Sequence, residues 1–212
     1  MARFHLGEWV LLTGQKGKKW LVKVEDAPFS CHLGVISMQE VVGREEGDCL
    51  ETHKGAKLFL FRPTLEEYIF TMDRPTQIIY PKDLSAMVFY GDIRPGDTVL
   101  ESGVGSGALA LALLKAMGEQ GRLISVEKRL RFAEQARENI CKFFGYHPPN
   151  HHLILADIQD FVPKTMVDRV FLDLPEPWHC IRSLAPILRQ GGVLVSLSPN
   201  VGQIQLVYKE LK

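Results

Sequence analysis

The sequence lacks long apolar runs. No stretch of its 212 residues approaches the roughly 20 apolar residues that a membrane-spanning helix requires, so we predict no membrane span. The first ten residues, MARFHLGEWV, contain no apolar segment of the kind found in signal peptides. These two absences predict a cytoplasmic protein without a membrane partner.

Cysteine and net charge are also scarce. The four cysteines form no Cys-x-x-Cys pair and have no metal-ligand spacing, which predicts reduced thiols. His151 and His152 begin a predicted strand, so their side chains should point to opposite faces and cannot easily share one ion. We therefore predict no metal site. The 25 basic and 25 acidic residues balance, whereas a general nucleic-acid-binding protein usually carries a basic surface.

Residues 1–62 consist of short alternating segments separated by glycines, a pattern typical of a small β-domain. EWVLLT and WLVKVE flank GQKGKK as the strands of a hairpin flank its turn, and HLGVISM and KLFLFR are further predicted strands. The second predicted domain is 63–212. It opens with the predicted helix TLEEYIFTM, which Thr64 should cap and which should connect the two domains.

From residue 97 onward, strands alternate with helices. The predicted strands are TVLES, RLISVE, HHLILAD, DRVFLDL and GGVLVSL, and the predicted helices between them are GALALALLKAMG, RLRFAEQARENICKFF and CIRSLAPILRQ. Almost continuously apolar strands that alternate with helices indicate a mostly parallel sheet covered on both faces. The predicted fold class is therefore α/β.

A glycine-rich turn, ESGVGSGAL, joins the first of these strands to the first helix. Gly103, Gly105 and Gly107 permit a tight turn and a close approach of the backbone to a ligand. With Ala108 the segment also satisfies the dinucleotide pattern G-x-G-x-x-G/A, so a nicotinamide dehydrogenase remains an alternative. Glu101 and the G-x-G-x-G spacing favour contacts to the methionine part of S-adenosylmethionine over contacts to a pyrophosphate.

Acidic residues lie at the ends of four successive predicted strands, namely Glu101, Glu127, Asp157 and Asp173. Ligands of open parallel sheets bind beyond the carboxyl ends of the strands, so these acids should meet in one crevice. Glu127 is placed to accept both ribose hydroxyls, and Asp157 to accept from an adenine amino group. Taken alone, Glu127, Asp157 or Asp173 could instead cap the following helix.

Six segments carry a family resemblance: RPTLEEYI, RPTQIIYPKD, DIRPGDTVLESGVGSGAL, ISVEKR, AREN and VFLDLPEPW. In these segments the chain resembles the TrmI-type tRNA (adenine-N1)-methyltransferases from about residue 30 to 205. The resemblance implies a Rossmann-like, S-adenosylmethionine-dependent methyltransferase domain after the small β-domain, and a homotetramer. It also implies methyl transfer to N1 of an adenine in the T-loop of tRNA, commonly at position 58.

Matched motif by motif, the resemblance implies which residues contact the donor: Ile79, Gly103, Ser106, Gly107, Ala108, Glu127, Asp157, Ile158 and Asp173. Asp173 and Tyr80 should face the target adenine. The family continues beyond residue 205 into two further strands, whereas VYKELK lies in a predicted helix. A C-terminally truncated domain without the final strands of the usual fold is therefore expected.

Asp173 is predicted to orient the adenine by accepting from its N6 amino group and to stabilise the positive charge that grows on the ring. Pro175 and Pro177 should stiffen the loop that follows. Tyr80 could stack on the extruded base, or it could be a half-buried aromatic at a domain junction. Trp178 is assigned to core packing rather than to stacking on the base.

Two other functions remain open. The donor half of the site would look the same in a methyltransferase that acts on a protein or a small molecule, and the neutral charge favours that alternative slightly. A non-catalytic RNA-binding subunit of a methyltransferase complex should have lost glycines or acids from the donor site. This sequence keeps them.

Overall fold

The computed structural model describes residues 3–75, 77–161 and 163–212, without the side chain of Lys16. The chain divides into two compact units, Met1–Met72 and Asp73–Lys212. The boundary expected from the sequence lies ten residues earlier, after residue 62. The difference is the helix α1 (Leu65–Thr71), which packs against a strand of the first unit.

The first unit contains two small antiparallel sheets. Its strands are β1 (Trp9–Gly14), β2 (Lys19–Lys23), β3 (Pro28–Cys31), β4 (Gly34–Ser37), β5 (Cys49–Glu51) and β6 (Lys57–Phe61). One sheet has the order β2-β1-β6-β5, and β3 pairs with β4. The predicted hairpin is confirmed, because β1 and β2 pair antiparallel around the 15–18 turn. Alternate residues of β1 and β6 supply much of the buried core.

Helix α1 begins as the sequence predicts. The Thr64 side chain accepts from the backbone N–H of Glu67, and the Glu67 carboxylate accepts from the N–H of Thr64. This reciprocal capping box satisfies two amides that have no partner within the helix. An ion pair between Lys19 and Glu67 then attaches the helix to β2.

The second unit is a five-stranded parallel sheet with helices. Its elements are α2 (Pro81–Tyr90), β7 (Thr98–Ser102), α3 (Ala108–Met117), β8 (Arg122–Glu127), α4 (Leu130–Phe144), β9 (His151–Leu155), β10 (Val167–Leu172), α5 (Trp178–Leu184), β11 (Leu188–Ser196) and α6 (Val201–Glu210). The strand order is β11-β10-β7-β8-β9, and every pairing is parallel. The predicted α/β fold with a preceding antiparallel region is confirmed.

Burial follows from the apolar patterns. Every residue of β7 after Thr98 is buried, and α3 buries all but two of its ten residues. Helix α4 is amphipathic and ends at Gly145, whose φ of +80° suits a glycine C-cap. No described helix is both long and apolar enough to cross a membrane.

Three features differ from the expectation. The predicted helix CIRSLAPILRQ ends early, because Pro186 lies in a short 3-10 turn and β11 already begins at Leu188. The pairing of β10 with β11 shifts register between Val167 and Arg169, next to Gly191 with its φ of +75°. Helix α2 was not expected, although Pro81 at its first turn is a common helix start.

Candidate active site

A cavity of about 240 Å3 lies at the carboxyl ends of β7, β8, β9 and β10. The residues that line it are Gln77, Ser102, Gly103, Gly105, Val126, Glu127, Lys128, Arg129, Phe132, Ala156, Asp157, Ile158, Gln159, Asp173, Leu174, Pro175 and Glu176. Its volume is just below the roughly 300–1,000 Å3 typical of ligand pockets. Because Pro175 and Glu176 are exposed at its rim, the site is an open cleft.

The glycine turn forms one wall and is locked to neighbouring backbone. Gly103 has a φ of +89°, and a Cβ built on it would lie 1.9 Å from the carbonyl oxygen of Asp173. The Gly103 N–H also donates to Val126 at 3.2 Å. Gly107 has a φ of +86° and is the N-cap of α3. A Cβ built on it would lie 3.3 Å from Ala136 of α4. The turn therefore requires glycine for both conformation and space.

Glu127 joins the end of β8 to the glycine turn. One carboxylate oxygen accepts from the N–H of Gly105 at 3.2 Å, and the other accepts from the N–H of Arg129 at 2.9 Å. An ionised carboxylate offers about four lone-pair positions, so both oxygens can still accept from a ligand. Glu127 thus holds the turn and faces the cavity at the same time.

Asp157 begins the loop after β9. Its carboxylate accepts from the N–H of Gln159 at 3.1 Å and pairs with Lys128 at 3.4 Å. The Gln159 amide, with help from Lys128, holds the pKa of Asp157 below its ordinary value. A local turn-capping role, which the sequence left open, is therefore present, and the carboxylate also lines the cavity.

Asp173 directly follows β10. Its backbone N–H donates to Ser102 at 3.0 Å, but its carboxylate makes no hydrogen bond or ion pair within the described ranges. Burial raises its pKa to about 6. The cap of α5 is Pro177, with no side-chain hydrogen bond, so the helix-capping alternative for Asp173 is wrong.

Glu101 lies beneath the cavity floor rather than in its wall. The side chain is fully buried, and its Oε2 accepts from the hydroxyl of Ser125 at 2.7 Å. Burial, together with the carboxylates of Asp173 and Glu127, raises the pKa of Glu101 to about 7 against the Ser125 hydrogen bond. The acids at the strand ends therefore act on Glu101 electrostatically.

The structure brings half of the predicted site residues together at the cavity. Those that line it are Gly103, Gly105, Glu127, Asp157, Ile158 and Asp173. Ser106 and Ala108 are buried in the turn and at the start of α3, as the backbone that shapes the wall. Ile79 is buried just before α2, and Tyr80, the residue that precedes Pro81, is 46% exposed.

Several lining residues were not predicted. Lys128 and Arg129 follow Glu127 directly, so the segment ISVEKR could have indicated them, and Phe132 lies in the first turn of α4. Leu174 to Glu176 lie in the proline loop, and the carbonyl of Pro175 accepts from Gln203 of α6 at 2.9 Å. Trp178 packs partly buried against the core, as predicted. In the part of the chain that is described, no three His, Cys, Asp or Glu residues could hold a metal ion together.

Comparison with known proteins shows the family to which the chain belongs. Residues 57–212 match the family described as "tRNA methyltransferase complex GCD14 subunit", and residues 3–50 match the family "TrmI-like N-terminal". The chain belongs to the GCD14/TrmI family of tRNA methyltransferases.

Individual relatives agree with this family. The tRNA (adenine(58)-N(1))-methyltransferase TrmI of Thermus thermophilus is 37% identical over 196 residues, 92% of this chain and 76% of the relative. The Methanocaldococcus jannaschii TrmI, named for adenine 57 and adenine 58, is 29% identical over 95% of this chain and 79% of its own length.

Two solved structures share the fold. The TrmI of Aquifex aeolicus has a TM-score of 0.84 and 31% identity, covering 99% of this chain and 82% of its own. A Thermotoga maritima protein described as a SAM-dependent O-methyltransferase has a TM-score of 0.92 and 34% identity, covering 98% and 78%. The family thus has the fold of S-adenosylmethionine-dependent methyltransferases.

Proposed function

We propose that this protein transfers a methyl group from S-adenosylmethionine to N1 of an adenine in the T-loop of tRNA, at position 58. The family and the relatives named above support the reaction. The observation in this chain that best supports the proposal is the position of Asp173. Its half-buried carboxylate has no protein partner among the described residues and lies in the same cavity as the glycine turn.

The residues present fit the methyl donor. S-adenosylmethionine supplies an electrophilic methyl on a cationic sulfonium, together with an ammonium, ribose hydroxyls and an adenine amino group. Glu127 keeps lone pairs that would accept from the ribose hydroxyls, and Asp157 would accept from the adenine amino group. The negative environment around Glu101 suits the cationic methionine end. Ile79, Ser106 and Ala108 remain predicted donor contacts.

Asp173 would act on the acceptor. Adenine N1 has a free lone pair at neutral pH, so no strong base is needed. Asp173 would instead align N1 with the methyl group of the donor and stabilise the charge that develops. A carboxylate accepting from N6 would do both, because positive charge grows on the ring as the methyl arrives. The proline loop, tied to α6 through Pro175, keeps this carboxylate in place. Exposed Tyr80 remains a proposed stacking partner for the base.

The test is methylation of unmodified tRNA with labelled S-adenosylmethionine, followed by mapping of 1-methyladenosine. Asp173→Asn keeps the size of the side chain but removes its charge, and it should lower transfer about 100- to 1,000-fold. Asp173→Ala should keep its fold and nearly abolish transfer. Asp160→Asn, an exposed acid outside the cavity, should behave as wild type. Wild-type rates in both Asp173 variants would exclude the proposed role.

A second acceptor class has one specific support, the Thermotoga maritima neighbour described as an O-methyltransferase. A hydroxyl acceptor, unlike adenine N1, must lose a proton, and Asp173 with its raised pKa could receive it. Label that appears in protein or in a small hydroxyl compound, with none in tRNA, would favour this function.

The homotetramer implied by the family resemblance and the cytoplasmic location expected from the sequence stay predictions. Light scattering of the purified protein would measure the mass of the assembly. Fractionation of the source cells would test the location.

A further inference from the structure

Three polar side chains form a continuous buried chain across neighbouring strands of the second unit. Glu101 of β7 is paired with Ser125 of β8, and His151 lies on β9 beside them. Ser125 Oγ lies 2.7 Å from Glu101 Oε2 and 3.1 Å from His151 Nε2. Exposure is 0% for Glu101 and Ser125 and 4% for His151.

The direction of the hydrogen bonds follows from the number of hydrogens. The Ser125 hydroxyl has one hydrogen, which it donates to the Glu101 carboxylate. His151 must therefore donate from Nε2 to Ser125, which leaves its Nδ1 as an acceptor. That Nδ1 is buried and has no hydrogen-bond partner among the described residues. Burial lowers the pKa of His151 to about 4, so the ring is neutral in this arrangement.

The surroundings of Glu101 make this chain unusual. Acidic groups approach Glu101 from the ends of two strands, Asp173 from β10 and Glu127 from β8, and both disfavour its charge. The Ser125 hydroxyl and the backbone N–H of Ala110, in the first turn of α3, both favour the charge. Glu101 Oε1 is buried and has no hydrogen-bond partner that meets ordinary geometry among the described residues.

A purely structural explanation does not account for the unmatched atoms. Buried polar networks in cores are normally complete, because each unpaired buried atom costs free energy. Among the described residues both ends of the chain lack a partner, His151 Nδ1 and Glu101 Oε1, and Oε1 lies beneath a cavity with an acidic wall. An unpaired carboxylate oxygen under such a site is what a cationic group of a ligand would compensate.

We propose that Ser125 and His151 are positioning residues for the methyl donor: they hold buried Glu101 as a carboxylate, so that its negative charge attracts the cationic methionine end from beneath the cavity floor. This inference rests on the proposed function, because it requires S-adenosylmethionine as the ligand. Neither residue contacts the donor. Both act through Glu101.

The experiment measures S-adenosylmethionine binding to the full chain by equilibrium dialysis between pH 5.5 and 9. Wild-type affinity should rise with pH through about 7 and then level, as Glu101 becomes charged. Ser125→Ala removes a hydrogen bond to a charged group, which should weaken binding about 10-fold or more at pH 7. The weakening should largely disappear at pH 9, where the carboxylate is charged even without Ser125.

Three further variants separate a positioning role from a structural one. Ser125→Thr keeps the hydroxyl and should restore the wild-type profile. His151→Leu should shift the pH profile of binding in the same direction as Ser125→Ala. It also tests the proposal if Ser125→Ala does not fold. His152→Leu, the same change at the adjacent exposed residue, should leave the profile unchanged.

The outcomes are distinct. Equal weakening at every pH, or an unchanged profile in both Ser125→Ala and His151→Leu, would overturn the positioning role. If the wild-type protein binds no S-adenosylmethionine at any pH, the proposed function itself fails. A wild-type protein that binds the donor and methylates tRNA, with unshifted variants, would refute only this inference.

Discussion

Replacing Gly103 with alanine tests how the glycine turn and the Asp173 loop depend on each other. A Cβ at this position would lie 1.9 Å from the Asp173 carbonyl oxygen and 2.7 Å from its carbonyl carbon. Contacts below 3.0 Å are essentially never seen for real Cβ atoms, so the two backbone segments must separate by at least about 1 Å. The neighbour is backbone and cannot rotate away as a flexible side chain could.

The expected magnitude has two parts. A non-glycine residue at a φ of +89° costs about 1–2 kcal/mol in the left-handed region. Overpacking against backbone adds about 1–3 kcal/mol. The free energy of unfolding should therefore fall by about 2–5 kcal/mol. Because Asp173 is displaced, transfer should fall about 100-fold or more in the fraction that remains folded, as for other misplacements of about 1 Å.

Gly145→Ala is the matched control. Gly145 has a similar φ of +80°, but an added Cβ would meet nothing within 4 Å. It should lose only the conformational part of the stability and keep wild-type transfer. Urea unfolding and labelled methyl transfer are measured on both variants. Equal losses of stability in the two, or wild-type transfer by Gly103→Ala, would refute the claim that the turn and the Asp173 loop are packed as one unit.

Two other variants test the buried charges. Glu101→Gln mimics the protonated acid. Burial raises the pKa of Glu101 from 4.5 to about 7. The contribution of Glu101 to the free energy of unfolding is therefore fully present below about pH 4.5 and is lost as the pH rises through 7. Without donor, the variant should match wild type at pH 5 and exceed it by up to about 3 kcal/mol at pH 8, measured by urea unfolding; a difference that does not grow with pH would contradict this. Arg169→Met should lower the free energy of unfolding by about 1–3 kcal/mol, because the carbonyls of Gly91 and Asp92 lose their buried donor. The shortest of these contacts joins Arg169 Nε to the Gly91 oxygen at 2.6 Å. Unchanged urea midpoints would show that water replaces the guanidinium.

The carboxyl ends of the strands could be predicted from the sequence because two independent patterns coincide there. Apolar runs locate β8, β9 and β10, and the acid at or after the end of each run must lie at one edge of a parallel sheet. Topology alone then brings Glu127, Asp157 and Asp173 to one cavity, without knowledge of any side-chain contact. The glycine spacing likewise predicts the turn, since few other residues adopt its φ angles.

Features that depend on which neighbour a residue meets could not be predicted in this way. Glu101 sits one residue before the end of β7, so its side chain points into the sheet packing and pairs with Ser125 instead of lining the cavity. Arg169 stands in the middle of an apolar strand, and only the fold shows that it binds the turn after α2. Local patterns carry no information about such long-range partners.

The acids of the site work against the stability of the empty fold, and this argues for their function. Buried Glu101 and half-buried Asp173 both have raised pKa values, which means that charging them costs folding free energy as the pH rises through 6 and 7. Sequences selected for stability alone would replace such groups with neutral ones. A cationic donor removes the penalty when it binds, so its stabilising effect should be larger at pH 8 than at pH 5. A site whose buried carboxylates destabilise the empty fold, and are compensated by a bound cation, selects positively charged ligands.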